Sequence, residues 1–331
     1  MITLEERLNL LARLSQYIQQ DEEWNDIKIK ANQENGWFVE QFTNLAISNI
    51  LKQYLDAEKL IDWIKKYDLP QTRKNPSSVG IVMAGNIPLV GFHDFLCGFV
   101  SGHNMIIKRS SKDSVLITHI VTKMTEWDKR VGESVVFSEI LKGCDAYIAT
   151  GSNNSGRYFE YYFKNYPSII RKNRTSVAIL TGEESQEDLA NLAGDLLLYF
   201  GLGCRNVSKL YAPESYDFIP LLAAMKPFQW MDDHQKFKNN YDYNLSLLLL
   251  NNQYYMTNGI VLLVENPAIF SPISQINLEY YKGHPPINFT HHEHELQAIV
   301  GRDYTPFGQA QSPSISNYAD GVDTLQFLSS L

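Results

Sequence analysis

Apolar residues recur at helical spacing along the N-terminal part of the chain, up to Pro70. Thr3 and Glu6 form a capping-box pattern at the start of this segment. The apolar positions that follow are three or four residues apart: Leu4, Leu8, Leu11, Leu14 and Ile18. A second helical region is predicted from about Phe38 to Tyr67, with Pro70 as its stop.

From Ser78 onward, short apolar runs alternate with longer amphipathic stretches. The predicted strands are Val79–Ala84, Asn104–Lys108, Ala146–Thr150 and Ser176–Leu180. The predicted helices between and after them are Leu89–Val100, Ser114–Trp127, Ser155–Lys164 and Glu187–Tyr199. This alternation indicates an α/β fold with a doubly wound, mostly parallel sheet that is covered by helices on both faces.

The alternating pattern begins again after Cys204. A strand is predicted at Val207–Tyr211, a helix at Tyr216–Met225 and a further strand at Ile260–Val264. We therefore expect a second α/β domain that starts near Phe200, which suits a chain of 331 residues.

Composition narrows the classes of function. With 44% hydrophobic and 20% charged residues, the chain has the make-up of a globular protein. A net charge of -8 disfavours nucleic acid as a partner. Neither a signal peptide nor an apolar run long enough for a membrane span is expected. An odd number of cysteines, three, without paired spacing argues against a disulfide framework and a zinc site, so we expect a cytosolic protein.

Three polar loops follow predicted strands and precede predicted helices: Gly85–Pro88, Lys108–Ser111 and Thr150–Gly156. Ligands of open parallel sheets bind beyond the carboxyl ends of the strands, where helix N-termini attract phosphates. Each loop taken alone is better explained as an ordinary turn rich in Gly, Ser and Asn. Together they predict a nucleotide site, although the G-x-G-x-x-G motif of a standard dinucleotide-binding fold is missing.

Cys204 lies in a turn with Gly201, Gly203 and the cation Arg205, between a predicted helix and a predicted strand. A neighbouring cation favours the thiolate, which is the reactive form of cysteine. The alternative, a buried structural cysteine, describes most cysteines and suits Cys97 and Cys144.

These segments, in this order, resemble the aldehyde-dehydrogenase superfamily, and within it the acyl-CoA reductases of the LuxC family. The resemblance runs from about Val79 to Phe327. It rests on Gly-Asn86-Ile-Pro-Leu, Lys108, Thr150-Gly151-Ser152, Gly-Leu-Gly-Cys204, Phe307-Gly308-Gln309-Ala310-Gln311 and Tyr318-Ala319-Asp320-Gly321-Val322-Asp323.

The resemblance implies a role for each matching residue. Cys204 is the nucleophile that accepts the acyl group, and Asn86 donates a hydrogen bond to the oxyanion. Lys108 holds the adenosine ribose of a nicotinamide cofactor. Thr150, Gly151 and Ser152 lie near its pyrophosphate.

Two departures from the aldehyde-oxidising members refine this picture. Where those enzymes carry a glutamate that activates water, this chain has Arg171–Ser176, which contains no carboxylate. Without that glutamate, attack of water on an acyl-enzyme should be slow. Slow hydrolysis suits a reductase better than an aldehyde-oxidising enzyme. Ser111 stands where relatives that prefer NAD often have an acidic residue, and Arg109 is nearby. NADPH is therefore favoured, with NADH as the alternative.

The segment His291–Glu295 raises the question of a metal site. Its spacing is not His-Glu-x-x-His, so we predict no metal. Glu295 lies where the superfamily places a glutamate for the nicotinamide ribose, and it is the candidate for that role.

The expected function is reduction of an acyl thioester, such as a fatty acyl-CoA, to an aldehyde through an acyl-Cys204 intermediate. The alternatives are an acyl-phosphate reductase of the same superfamily, and a cysteine acyltransferase or thioesterase that binds no nicotinamide. The expected domains are 1–199 (helices and cofactor domain), 200–305 (catalytic domain) and 306–331 (packing on the cofactor domain or a neighbouring subunit). A homo-oligomer and an acyl-activating partner fit the family.

Overall fold

The chain forms two compact units in a computed structural model that describes residues 1–20, 22–284 and 294–331. The first unit comprises Met1–Asn173 and Pro313–Leu331, and the second comprises Arg174–Ser312. The sequence predicts this division after residue 199. It falls earlier because the strand Thr175–Ile179 pairs with Val207–Pro213 in the sheet of the second unit.

Twelve α-helices and eleven strands are found among the described residues. The helices are α1 (Leu4–Gln20), α2 (Glu22–Glu34), α3 (Glu40–Gln53), α4 (Ala57–Ile64), α5 (Phe92–Ser101), α6 (Val115–Trp127), α7 (Lys129–Ser134), α8 (Asn153–Phe163), α9 (Gln186–Leu197), α10 (Ile219–Ala224), α11 (Gln235–Leu250) and α12 (Thr324–Ser329). The strands are β1 (Ser78–Val82), β2 (Asn104–Lys108), β3 (Val135–Phe137), β4 (Ala146–Thr150), β5 (Ser168–Arg171), β6 (Thr175–Ile179), β7 (Val207–Pro213), β8 (Met256–Thr257), β9 (Leu262–Glu265), β10 (Gln275–Tyr281) and β11 (Leu296–Val300). None of these helices is both long and apolar enough to cross a membrane.

The first unit is built on a five-stranded, fully parallel sheet in the order β3-β2-β1-β4-β5. The strand order reverses direction between β1 and β4, which makes this pair the topological switch point of the sheet. Helix α1 contacts both α5 and α6, while α8 packs against β4 and β5. The sheet confirms the predicted parallel architecture.

The predicted capping box is present at the start of α1. The Thr3 N–H donates to Glu6 Oε2 over 2.7 Å, and the Glu6 N–H donates to Thr3 Oγ1 over 3.2 Å. The helical region predicted from Phe38 to Tyr67 is divided into α3 and α4. Asp56 accepts a hydrogen bond from the Lys59 N–H and so starts the second of these helices.

The helix after β1 starts at Phe92, whereas the sequence predicts its start at Leu89. Leu89 has a left-handed backbone with φ of 55°, which ends any helix at that point. Pro88 therefore lies in a turn that precedes the helix. This turn lengthens the loop that carries Asn86.

The second unit contains a six-stranded sheet in the order β11-β6-β7-β10-β9-β8. All neighbouring strands are parallel except β8, which runs antiparallel to β9. Strands β10 and β11 and helix α11 were not predicted from the sequence. Residues 313–331 return to the first unit, where α12 packs against α5.

Candidate active site

The three predicted loops lie at the carboxyl edge of the first unit's sheet. Asn86 is half-buried in the loop after β1, and Thr150 ends the neighbouring strand β4. These two loops therefore flank the switch point, where open parallel sheets bind ligands. Lys108 ends β2, on the other side of β1, and its side chain is exposed.

The Asn86 loop is held by Asp113, a residue that the sequence analysis did not single out. The Leu89 N–H donates to Asp113 Oδ2 over 2.7 Å. The other oxygen, Oδ1, is buried without a hydrogen-bond partner among the described residues. Burial raises the pKa of the Asp113 carboxyl to about 7, against an ordinary value of 3.8. The protonation of the Asp113 carboxyl is thus coupled to the loop that carries Asn86.

The segment Thr150-Gly151-Ser152 leads from β4 into α8. Ser152 is exposed and caps this helix, since its Oγ accepts a hydrogen bond from the Ser155 N–H over 3.2 Å. A β-carbon on Gly151 would lie 2.8 Å from Cβ of Ser155 and 2.9 Å from Phe159, so only glycine fits here. The segment therefore places an open helix N-terminus at the carboxyl edge, where a phosphate group is attracted.

Ser111 and Lys108 are exposed, but Arg109 already has partners. The Arg109 guanidinium donates to Thr118 Oγ1 over 2.7 Å and lies 4.8 Å from the centre of the Phe137 ring. These contacts direct Arg109 toward the protein. They weaken the expectation that Arg109 attracts a 2′-phosphate.

Cys204 lies in the second unit, in the turn between α9 and β7. Three successive residues before it have left-handed backbones: Tyr199 with φ of 55°, Phe200 with φ of 57° and Gly201 with φ of 73°. A left-handed backbone costs about 1–2 kcal/mol for each non-glycine residue. The fully buried Phe200 ring offsets this cost by packing against Trp230, His234 and Phe237.

Asn206 holds this turn in place, a role for which no motif in the sequence is a signal. Its side-chain amide nitrogen donates to the carbonyls of Asp195 and Leu198, over 3.1 and 2.8 Å. Its side-chain oxygen accepts from the Gly203 N–H over 2.8 Å. One buried side chain therefore ties the end of α9 to the residue before Cys204.

The three cysteines differ in burial. Cys97 and Cys144 are buried, and burial raises the pKa of both thiols. Cys204 is only partly buried, and its backbone carbonyl accepts a hydrogen bond from Ser176 Oγ over 3.2 Å. Of the three, Cys204 alone has the exposure that a nucleophile needs.

Glu295 lies just before β11, and its carbonyl accepts a hydrogen bond from the Thr175 N–H over 2.9 Å. Because β6 lies between β11 and β7, Glu295 and Cys204 contact adjacent residues of β6, Thr175 and Ser176. Both thus lie at the amino edge of the second unit's sheet.

A buried carboxylate in α9 connects the Cys204 turn with the Phe307–Gln311 segment. Asp195 accepts hydrogen bonds from the Gly308 N–H over 2.6 Å and from the Ala310 N–H over 3.2 Å. Burial raises the pKa of the Asp195 carboxyl to about 6, and the two N–H donors partly oppose this rise. The C-terminal motif therefore packs against the helix that leads to Cys204.

The predicted site residues are divided between the units. Asn86, Lys108, Ser111 and the segment Thr150–Ser152 belong to the first unit, and Cys204 and Glu295 belong to the second. His291, His292 and Glu293 lie outside the described residues. Within the described ranges there is no group of three His, Cys, Asp or Glu side chains placed to hold a metal ion.

Comparison with known proteins was made for both sequence and structure. A family model described as acyl-CoA reductase (LuxC) matches residues 2–212. No curated protein matches the chain.

Solved structures similar to this one are aldehyde dehydrogenases. A putative enzyme from Anabaena variabilis, PutA, has 16% identity and a TM-score of 0.55, over 68% of this chain and 52% of its own. An enzyme from Mycobacterium tuberculosis in complex with NAD+ has 14% identity and a TM-score of 0.58, over 85% and 69%. An NAD+ complex from Bacillus cereus has 13% identity and a TM-score of 0.62, over 85% and 68%.

This chain thus spans 52% of the length of the Anabaena protein and somewhat over two thirds of the other two. At such low identity the likeness establishes the fold. The predicted aldehyde-dehydrogenase-like α/β architecture is confirmed.

Proposed function

Since the chain belongs to the LuxC family of acyl-CoA reductases, we propose that it reduces an acyl thioester, such as a fatty acyl-CoA, to an aldehyde through an acyl group carried on Cys204. One observation carries this proposal. Cys204 is the single partly exposed cysteine, on a strained turn that Asn206 holds through a hydrogen bond from the Gly203 N–H. Strain at a well-supported turn is typical of functional sites.

The thiolate of Cys204 attacks the carbonyl carbon of the thioester, and the thiol of CoA leaves. The new sulfur–carbon bond keeps the acyl group at the same oxidation level, so no electrons are exchanged in this step. When the aldehyde is released, the Cys204 thiolate is the leaving group and is ready for another turnover.

Asn86 is the proposed side-chain donor to the oxyanion that forms in both steps, with the backbone N–H of Cys204 as the second donor. A donor of this kind contributes about 3–4 kcal/mol of transition-state stabilisation only if it is held in place beforehand. The hydrogen bond from Leu89 to Asp113 supplies such support for the Asn86 loop.

The carboxyl edge of the first unit fits a nicotinamide dinucleotide. The open N-terminus of α8, next to Gly151 and Ser152, suits the pyrophosphate, and the exposed Lys108 suits a ribose. A bound, reduced nicotinamide supplies the hydride that takes the acyl group to the aldehyde level. NADPH is the proposed form because the exposed Ser111 carries no negative charge that repels a 2′-phosphate. Glu295 remains the candidate for the nicotinamide ribose.

Reduction is proposed rather than aldehyde oxidation because a base for hydrolytic water is missing from the matching stretch. That stretch begins with Arg171, whose guanidinium is buried and donates to Asp94 Oδ2 over 2.6 Å and to Thr324 Oγ1 over 2.7 Å. Arg171 is thus a structural cation with no role toward water.

The test follows nicotinamide absorbance and free thiol together in one reaction with a panel of acyl-CoAs. We expect one thiol released for each NADPH oxidised, with a clear preference for chain length. Cys204→Ala should abolish both signals, whereas Cys144→Ala, which removes a buried thiol of the first unit, should keep them.

Other outcomes point to other functions. Thiol release without oxidation of NADPH indicates an acyltransferase or thioesterase. Phosphate release from an acyl phosphate, with no response to any acyl-CoA, indicates an acyl-phosphate reductase. A response that appears only when an acyl-activating enzyme is added indicates that a partner supplies the thioester, and sedimentation of the active species tests the expected homo-oligomer.

A further inference from the structure

A cavity of about 120 Å³ lies at the amino edge of the first unit's sheet, opposite the carboxyl edge described above. Its lining includes Pro76, just before β1, and Asn104, the first residue of β2. Three arginines also line it: Arg7, Arg73 and Arg130. The cavity is separated from the predicted cofactor loops by the length of the strands, which at five residues is about 16 Å.

Arg7 is the most deeply buried of these arginines, with only 4% of its surface exposed. Its Nη1 donates to the Ile2 carbonyl over 3.1 Å, but Nε and Nη2 are buried without a partner among the described residues. The guanidinium lies directly against Gly102 at the end of α5, where a β-carbon would collide with Nη1. Burial and the charge of Arg73 lower the pKa of Arg7 to about 10.

Negative groups around the cavity compensate Arg7 and Arg73 only in part, since the charge of Glu6 partly opposes the lowering of the Arg7 pKa. Arg130 forms ion pairs with two nearby carboxylates, since its Nη2 lies 3.0 Å from Glu6 Oε1 and 2.6 Å from Asp128 Oδ2. Glu133 is the only acidic residue in the lining, and it is exposed.

Neither His103 nor the C-terminal end of α5 neutralises the charge of Arg7 and Arg73. His103 accepts a hydrogen bond from the Ser77 N–H at Nδ1 and bonds the Leu328 carbonyl through Nε2, an arrangement that fits a neutral ring. Arg73 Nε donates to the Ser101 carbonyl over 3.1 Å, at the C-terminal end of α5. A helix C-terminus carries only about half a negative charge, which is less than the charge of two guanidinium groups.

We propose that this cavity binds a small oxyanion of the phosphate or sulfate type between Arg7 and Arg73. Burial of a cation that is only partly compensated is unfavourable, and a bound anion neutralises such a charge, which water cannot do. Guanidinium groups bind tetrahedral oxyanions through charge-assisted hydrogen bonds, and both the buried Arg7 and the half-buried Arg73 line the cavity. A water molecule occupies about 30 Å³ of liquid, so the cavity has room for one such anion.

The bound anion stabilises the contact between α1 and the end of α5, because Arg7 belongs to the first and lies against the second. This site is independent of the proposed reductase activity. We therefore expect the oxyanion to change the stability of the protein and not its reductase activity.

Thermal unfolding of the full chain tests the proposal, with sodium phosphate replacing sodium chloride at constant ionic strength and pH. Saturating phosphate should raise the melting temperature of the wild type by about 2–4 °C. Arg73→Ala and Arg7→Met should lose this rise. Arg157→Ala, which removes an exposed arginine of the same unit, should keep it.

Lys108→Ala separates this cavity from the carboxyl-edge loops, which also suit phosphate. If Lys108→Ala loses the rise while Arg73→Ala keeps it, the proposal is wrong. It is equally wrong if no oxyanion shifts the wild-type transition more than chloride does. Should Arg7→Met fail to fold, Arg73→Ala decides, with broadening of the phosphorus-31 resonance of inorganic phosphate by the wild type alone as the supporting result.

Discussion

The three cysteines of the chain differ in how deeply they are buried, and this difference identifies the proposed nucleophile. Cys204 differs from Cys97 and Cys144 in its exposure, as its glycine and arginine neighbours indicated in the sequence. Asp113 and Asn206, by contrast, support the two proposed catalytic residues through hydrogen bonds. Neither was predictable, because each acts through a contact that only the folded chain creates.

Asn86→Ala should lower kcat about 100- to 1,000-fold and change KM little, because the amide is proposed to act on the oxyanion of the transition state. Steady-state kinetics with an acyl-CoA measure this split. Asn165→Ala, an exposed asparagine of the same unit, serves as the control. A rise in KM at unchanged kcat would show instead that Asn86 contributes only to substrate binding.

Asp113→Asn should make the protein more stable than the wild type at high pH. Since the folded pKa of about 7 exceeds the ordinary 3.8, the stability linked to the bound proton is present below pH 4. It is lost as the pH rises through 7. Asparagine keeps an acceptor for the Leu89 N–H and carries no charge.

Denaturant unfolding at pH 5 and pH 8 measures this effect. The difference between Asp113→Asn and the wild type should grow by roughly 1–4 kcal/mol toward pH 8. A difference that is equal at the two pH values would mean that Asp113 does not keep its proton in the folded protein.

Among the elements, the turn between α9 and β7 carries the proposed nucleophile, Cys204. The bounds of β2 and β4 agree with the prediction, because short apolar runs before polar loops are a strong local signal. The start of α5 was predicted wrongly, since the left-handed Leu89 depends on Asp113 from another loop. The left-handed run at Tyr199 and Phe200 had no local signal, because only the packed ring of Phe200 compensates for it.

Asn206→Ala should destabilise the protein by about 2–4 kcal/mol, because it removes hydrogen bonds from buried carbonyls and from the Gly203 N–H. It should also reduce the rate at which acyl-CoA acylates Cys204. Denaturant unfolding and single-turnover thiol release measure the two effects. Asn251→Ala, an exposed position at the end of α11, should change neither.

A normal acylation rate in Asn206→Ala at a temperature where the variant is folded would contradict the positioning role. Loss of stability alone would leave Asn206 as a purely structural residue.

Over the whole molecule, the family, the α/β class and the loops of the carboxyl edge could be predicted from the sequence. Parallel strands bring their carboxyl ends to one edge, so order along the chain was enough. The division between the units was not predictable, because the pairing of β6 with β7 and β11 joins segments far apart in the chain. The return of residues 313–331 to the first unit depends on equally distant contacts.

One such distant contact joins α5, β5 and the C-terminal segment of the first unit. Arg171 and Asp94 form a buried ion pair, and Arg171 also donates to Thr324. Arg171→Met should destabilise this unit by about 3–5 kcal/mol, because Asp94 is left as a buried, unpaired charge.

The double variant Arg171→Met, Asp94→Leu should recover most of that loss, as measured by denaturant unfolding. If the single and double variants are equally unstable, the ion pair is not the source of the effect.

Acylation of Cys204 is tested by the intact mass of the protein after mixing with a fatty acyl-CoA in the absence of nicotinamide. We expect a mass increase of one acyl group, located on the peptide that contains Cys204 and absent from Cys204→Ala. Addition of NADPH should remove the adduct and yield the aldehyde. Turnover of acyl-CoA to aldehyde by Cys204→Ala, or an adduct on Cys97 or Cys144 instead, would show that Cys204 does not carry the acyl group.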